Sequence, residues 1–199
     1  MRRLLLPLLA IVLTASCITV DDFGDYWGKG FVDPALAGTW KMIGIAGQPP
    51  DRTLGTDQLR FTKNGRSYAM QAINPIDRGM TAEQAAEQAK NNETREAART
   101  LTIGRHAFLM QRPEEGRPGG MLVRYEIRGG ILSQYIMDFE EGIDFLAAKH
   151  PTARNITSHN VDAHLIDIQT FDDEVFRILS EIADVQSYWV LSNRYKKIS

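Results

Sequence analysis

The amino-acid sequence predicts an α+β domain built mainly on antiparallel β-sheet, with short helices. Three observations predict it. Alternating apolar and polar runs flank two tight-turn signals, Asn64-Gly65 and Gly129-Gly130, and alternation with period two is the mark of a half-buried strand. Helical periodicity is confined to 81–99, 139–150 and 172–183. No regular strand–helix–strand repeat runs through the chain, so a parallel nucleotide-binding sheet is not expected.

The chain starts with a segment of another kind. Arg2 and Arg3 precede an apolar run, Leu4 to Leu13, and then the small residues Thr14-Ala15-Ser16. This is the order of a secretory signal. The run is shorter than the roughly 20 residues that span a bilayer core. Cys17 follows, and it is the one cysteine among the 199 residues. It can make no internal disulfide, so its thiol asks for another role.

Leu13-Thr14-Ala15-Ser16-Cys17 resembles the lipobox of bacterial lipoproteins. The resemblance implies that the thiol of Cys17 is acylated and that the chain is cut before it. A lipid would then hold the protein on the membrane, with its domain facing the periplasm of the cell envelope. The match departs from the pattern at Thr14, where a branched aliphatic is usual, and Leu13 stands one place early. Ile18 is not the Asp that such families use for inner-membrane retention, so the outer membrane is favoured over the inner. An ordinary secretory signal with a chance cysteine is the alternative.

Removing residues 1–16 from 199 leaves 183, the size of one domain with a core of its own. Taking Arg2 and Arg3 from the 23 basic residues leaves 21 against 25 acidic ones, a net charge of −4. Without a basic surplus, nucleic-acid binding has no electrostatic support. The expected organisation is a signal over 1–16, a lipidated N-terminus and tether over 17–34, and one globular β-rich domain over 35–199. Tyr26, Trp27 and Phe31 interrupt the tether and would pack back onto the domain or touch a partner.

Along the domain, 36–45 reads as the first strand, with Trp40 and Met42 on one face. A hairpin follows around Lys63-Asn64-Gly65-Arg66, with Leu59 and Phe61 sharing a face of its first arm and Tyr68 and Met70 a face of its second. Thr81 to Arg99 reads as a helix, since Thr81 and Gln84 fit a capping box and the interior is rich in Ala, Glu and Gln. Its apolar stripe is only alanine, so it would lie exposed, as a mere insertion or as a lid. Strand returns over 100–111, interrupted at Gly104. Then comes a polar loop over 112–120. Residues 121–128 and 131–138 form the second hairpin, one face of which reads as wet, with Leu122 an anomaly on the polar side. A short helix over 139–150, short strands over 155–158 and 164–170, an amphipathic helix over 172–183 and a closing strand over 188–197 complete roughly seven to nine strands.

Gly38-Thr39-Trp40 and Arg194 resemble the lipocalin pattern. In that family a Gly-x-Trp tryptophan closes the bottom of the barrel, and a basic side chain from the last part of the chain covers it. The resemblance implies a lipocalin-like β-barrel in which Gly38, Trp40 and Arg194 close one end. Trp40, Met42, Phe61, Met70 and Tyr125 would line a cavity for a small apolar ligand. The residues outside these ends read equally as a generic antiparallel domain with a filled interior. The function expected is accordingly binding of a small apolar ligand, or else a protein-interaction or structural role in the envelope.

Chemistry finds little support. His159, Asp162, His164 and Asp167 are the clustered metal-type residues, but alternation along an extended chain sends His159 and His164 to opposite faces. Asp138, Glu140, Glu141 and Asp144 lack the ligand spacing of a calcium loop and suit a solvated helix start. No nucleophile motif and no phosphate-binding loop occurs. No cofactor, metal or catalytic residue is expected.

Overall fold

The computed structural model describes residues 18–45, 58–74, 76, 79–93, 95–113, 119–138, 145, 156–159 and 165–199. Cys17 and the signal, most of 139–150, and Asp162 and His164 lie outside them. The described strands are β1 (Ile18–Asp22), β2 (Gly38–Ile45), β3 (Gln58–Asn64), β4 (Ser67–Ile73), β5 (Glu96–Ile103), β6 (His106–Pro113), β7 (Met121–Arg128), β8 (Ile131–Met137), β9 (Ile156–His159), β10 (Leu165–Thr170) and β11 (Trp189–Lys197). The helices whose bounds are described are α1 (Gly24–Lys29), α2 (Ala82–Glu93) and α3 (Asp173–Ala183).

Eight of the strands form a closed barrel. Their order is β6-β5-β4-β3-β2-β11-β8-β7, and a β6–β7 pairing closes the ring. Closure leaves the barrel without a free edge, the usual liability of an open sheet. All pairings within it are antiparallel. Among the described residues the architecture is therefore mostly β, with short helices, more than an even mixture of the two classes. Both predicted hairpins form, around Gly65 and around Gly129-Gly130, whose φ values of +57° and +74° suit a two-residue turn.

A small second sheet branches from the barrel. β1 pairs antiparallel with the start of β7, through Ile18 and Thr19, and parallel with β10, which carries β9 on its far side. The expected tether is thus a correction. Residues 18–34 are folded: Ile18 and Val20 are buried in β1, Tyr26 is buried in α1, and Phe31 forms a bridge with Thr100 of β5. Alternation is too short there to register as a strand, and the partners that make it one lie more than a hundred residues away.

Two cores result, one inside the barrel and one against its outer wall. The inner core holds Trp40, Phe61, Tyr68, Leu109, Leu132 and Tyr195. The outer core sets Leu101, Ile103, Phe108, Met110, Leu122 and Trp189 of the wall against β1, β10, α1 and α3. Leu122 is explained by this. The outward face of β7 expected to be wet is covered near its start, where Leu122 and Arg124 are both buried.

α3 supplies much of the cover. Asp172 caps it by accepting from the Val175 amide at 2.9 Å. Val175, Ile178, Leu179 and Ile182, spaced on one helical face, are buried. α1 docks through Tyr26, whose hydroxyl donates to Asp173 at 2.6 Å, and through Trp27, whose carbonyl accepts from Arg99 at 2.5 Å.

The predicted helix over 81–99 ends early. Thr81 and Gln84 form the capping box, with reciprocal bonds of 2.9 and 3.2 Å. The helix stops at Glu93, and Ala97 and Ala98 belong to β5. Alanine favours a helix locally, but Ala98 faces the barrel interior and is fully buried there, so tertiary packing overrides propensity. α2 buries no residue. Asn92 fastens its end to the barrel, accepting from the Asn74 amide at 2.9 Å and donating to the Asn74 carbonyl at 2.7 Å.

Candidate functional site

One end of the barrel is closed by the chain that enters it. Asp33 caps a 3-10 turn over Pro34–Leu36, and this turn covers the barrel end. Three barrel side chains hold it there. The indole N–H of Trp40 donates to the Leu36 carbonyl at 2.8 Å. The hydroxyl of Tyr68 donates to the Asp33 carbonyl at 2.9 Å, and that of Tyr125 to Asp33 Oδ2 at 2.7 Å. Thr100 Oγ1 lies 2.9 Å from the Tyr125 hydroxyl oxygen. Tyr125 has spent its single proton on Asp33, so the bond comes from Thr100. Burial, joined by the Asp33 carboxylate, keeps the Tyr125 phenol protonated far above its ordinary range.

The residues singled out for barrel closure are partly brought together. Gly38 takes φ +116°, and a Cβ there would collide with the Ser199 carbonyl, so both backbone conformation and space require glycine. Trp40 is fully buried. The cation over its ring is Lys197, whose Nζ lies 5.3 Å from the ring centroid. Arg194 is exposed elsewhere. The reason is alternation: Tyr195 points inward and Lys197 shares its face, whereas Arg194 falls on the other and adjoins a register shift.

Trp40, Phe61, Met70 and Tyr125 gather in the inner core, and Met42 packs against it partly buried. Exposures of the first four run from 0% for Trp40 to 6% for Met70, so these four side chains are packing partners of one another and of the plug. At the opposite end, Glu96 points inward beside Gln111 and Met121 around a cleft of about 200 Å³. One carboxylate oxygen of Glu96 is buried with no hydrogen-bond partner among the described residues, and burial raises the pKa of Glu96.

The larger cleft, about 580 Å³, notches the closed rim. It exists because β6 pairs with β7 only as far as Ala107↔Tyr125, leaving the far end of β7 without a neighbour on that side. Tyr125 and Ile127 contribute from the inner face of β7, and Asp33 and Ala35 from the plug. Arg124, Glu126 and Arg128 contribute from the outer face, with Arg105, His106, Tyr135 and Gln186 around them. The lining is therefore mainly polar.

Arg124 is the anomaly in this wall. It is 6% exposed, and its Nη1 is buried with no hydrogen-bond partner among the described residues. The rings of Tyr135 and Trp189 each lie 5.2 Å from its guanidinium carbon. Burial lowers its pKa, opposed by Tyr135, Glu126 and Asp184 nearby. Among the described residues, the other basic side chains of the cleft are spoken for. Arg105 Nε and His106 Nε2 both lie 3.0 Å from Asp184 Oδ1, and Arg128 pairs with Glu126. Burial and then Arg124 lower the pKa of His106.

Comparison with protein-family models, with curated proteins and with solved structures finds no match for this chain. The site is therefore read from its own chemistry. Sequence reasoning singled out Tyr125 as an inward-facing residue, and inward is where it lies, but it did not single out Arg124, Arg105 or His106. Leu122 was the available signal, since an apolar residue on a supposedly wet face means that the face, and Arg124 with it, is covered. His159 lies in β9, paired with Leu165 of β10, and Asp167 of β10 accepts from the Thr19 hydroxyl. Among the described residues no three His, Cys, Asp or Glu side chains gather as a metal site would require. No described helix is long and apolar enough to cross a membrane.

Proposed function

We propose that this protein is a cell-envelope lipoprotein, anchored through lipid on Cys17, whose lipocalin-like barrel is a binding module for a small ligand. The observation that carries the binding reading is the rim cleft of about 580 Å³, which falls within the roughly 300–1,000 Å³ of small-molecule sites. Tyr125 is the one expected ligand-binding residue that lines it. Trp40, Phe61 and Met70 serve the core instead, so the ligand sits at the rim and meets polar groups.

The anchor reading rests on the signal and on the single cysteine. Two or more acyl chains hold far better than one, at about 0.8 kcal/mol per buried CH₂. The domain itself then needs no membrane-binding surface. Since β1 begins at Ile18, an anchor on Cys17 holds the barrel against the bilayer with no spacer.

Native mass spectrometry of the protein purified from its host tests the binding reading. A retained small molecule is expected, and its loss is expected when Gln186→Trp narrows the rim. Protein that carries nothing, or a molecule indifferent to that substitution, overturns the cleft as the site. Growth with radioactive palmitate tests the anchor: label in the wild type and none in Cys17→Ser is expected, and an unlabelled wild type ends the lipoprotein reading.

A further inference from the structure

We infer that the rim cleft takes a small oxyanion, a carboxylate or a phosphoryl group, and that Arg124 is its recognition residue. The inference rests on reading the cleft as a binding site and names the chemical class of its occupant.

The first argument is the state of Arg124. A buried charge without a partner is costly, and a folded protein normally pairs or neutralises it. Two flanking rings offset part of that cost through their negative faces. They cannot replace hydrogen-bond acceptors, and Nη1 has none among the described residues. Arginine stays charged where lysine would lose its proton, so the remedy is an acceptor from outside.

The second argument is the disposition of the neighbouring charges. Asp184 holds Arg105 and His106, while Glu126 holds Arg128. Asp33 accepts from Tyr125 and from the Ala35 amide. Each carboxylate in or near the cleft is committed, and none forms an ion pair with Arg124 among the described residues. Among the described residues the cation left over is the buried one, clamped in place by Tyr135 and Trp189. A guanidinium so fixed matches the two oxygens of a carboxylate or phosphate. A cationic or purely apolar ligand would leave it unmatched.

Calorimetric titration of the full-length protein in detergent tests this, with sodium phosphate in one arm and sodium succinate in the other. Sodium chloride at matched ionic strength is the reference. Saturable binding in at least one arm is expected, and the arm that responds tells phosphoryl from carboxylate. Arg124→Gln is expected to weaken it about tenfold or more, the scale of a hydrogen bond to a charged group. Arg124→Lys, which keeps charge but loses the fork, is expected to fall between. No saturable binding in either arm, or unchanged binding in Arg124→Gln, overturns the inference. Should Arg124→Gln fail to fold, the wild-type side-chain Nε–H resonance of Arg124 decides. It is expected to shift with the anion, and a stationary resonance overturns the inference. An uncharged molecule retained from the host and displaced by Gln186→Trp, with no anion response, sinks the oxyanion and keeps the cleft. Neither response sinks both.

Discussion

The hydroxyl of Tyr125 donates a 2.7 Å hydrogen bond to Asp33 Oδ2 and so ties the barrel wall to the turn that plugs it. The same oxygen accepts from Thr100. A strand of the wall, its neighbour but one and the entering chain thus meet at a single buried phenol.

Replacing Tyr125 with Phe removes both bonds and leaves Thr100 and the Asp33 carboxylate short of a partner. An unsatisfied buried polar group costs about 1–3 kcal/mol, and urea unfolding of Tyr125→Phe is expected to show a loss of this size. A change below about 0.5 kcal/mol, the usual scale of surface substitutions, would mean that the plug is held by packing alone.

The cation at the barrel end offers a sharper comparison. Lys197 lies over Trp40, while Arg194 is exposed on the other face. Lys197→Gln is expected to destabilise by about 0.5–1 kcal/mol, as exposed cation–π contacts do. Arg194→Gln should stay within about 0.5 kcal/mol of the wild type. Midpoints in urea give the answer, and the reverse order would return the closure role to Arg194.

Tyr26 makes stability depend on alkaline pH. Its phenol is pushed from 10.0 up to about 12, by burial first and then by the bond to Asp173. The folded state binds this proton more tightly than the unfolded chain. The stabilisation is therefore complete below pH 10.0 and lost as pH rises toward about 12. Urea unfolding between pH 9 and 12 is expected to show a decline that is shallower in Tyr26→Phe. Identical slopes in the two proteins would rule this out.

Local features of the fold were legible and distant ones were not. Asn64-Gly65 and Gly129-Gly130 announce their hairpins because a tight turn depends only on the residues within it. The capping box at Thr81 and the amphipathic face of α3 are likewise local. The tether misread over 18–34 has the opposite cause, since β1 is a strand only by virtue of Leu122 and Ile166. Ala97 and Ala98 follow the same rule: their propensity is helical, and the barrel wall decides otherwise. For the site, Tyr125 could be placed by alternation on an inner face. Arg124 alternates to the outer one, and only β1, β10, α3 and Trp189 make that side an interior.

The parallel pair of β1 and β10 also sets an order of events in time. Thr19 and Asp167 touch across 148 residues of chain. At about 5–20 residues per second of synthesis, the second is made roughly 7–30 s after the first. During that interval β1 has neither its parallel partner nor the α3 cover, and closing so long a loop comes late in any folding route. The strand next to Cys17 can pair with the start of β7 earlier, but it lacks its second partner until the final third of the protein has arrived. An enzyme that acylates Cys17, as proposed, would meet it before the strand beside it is locked on both edges into the fold.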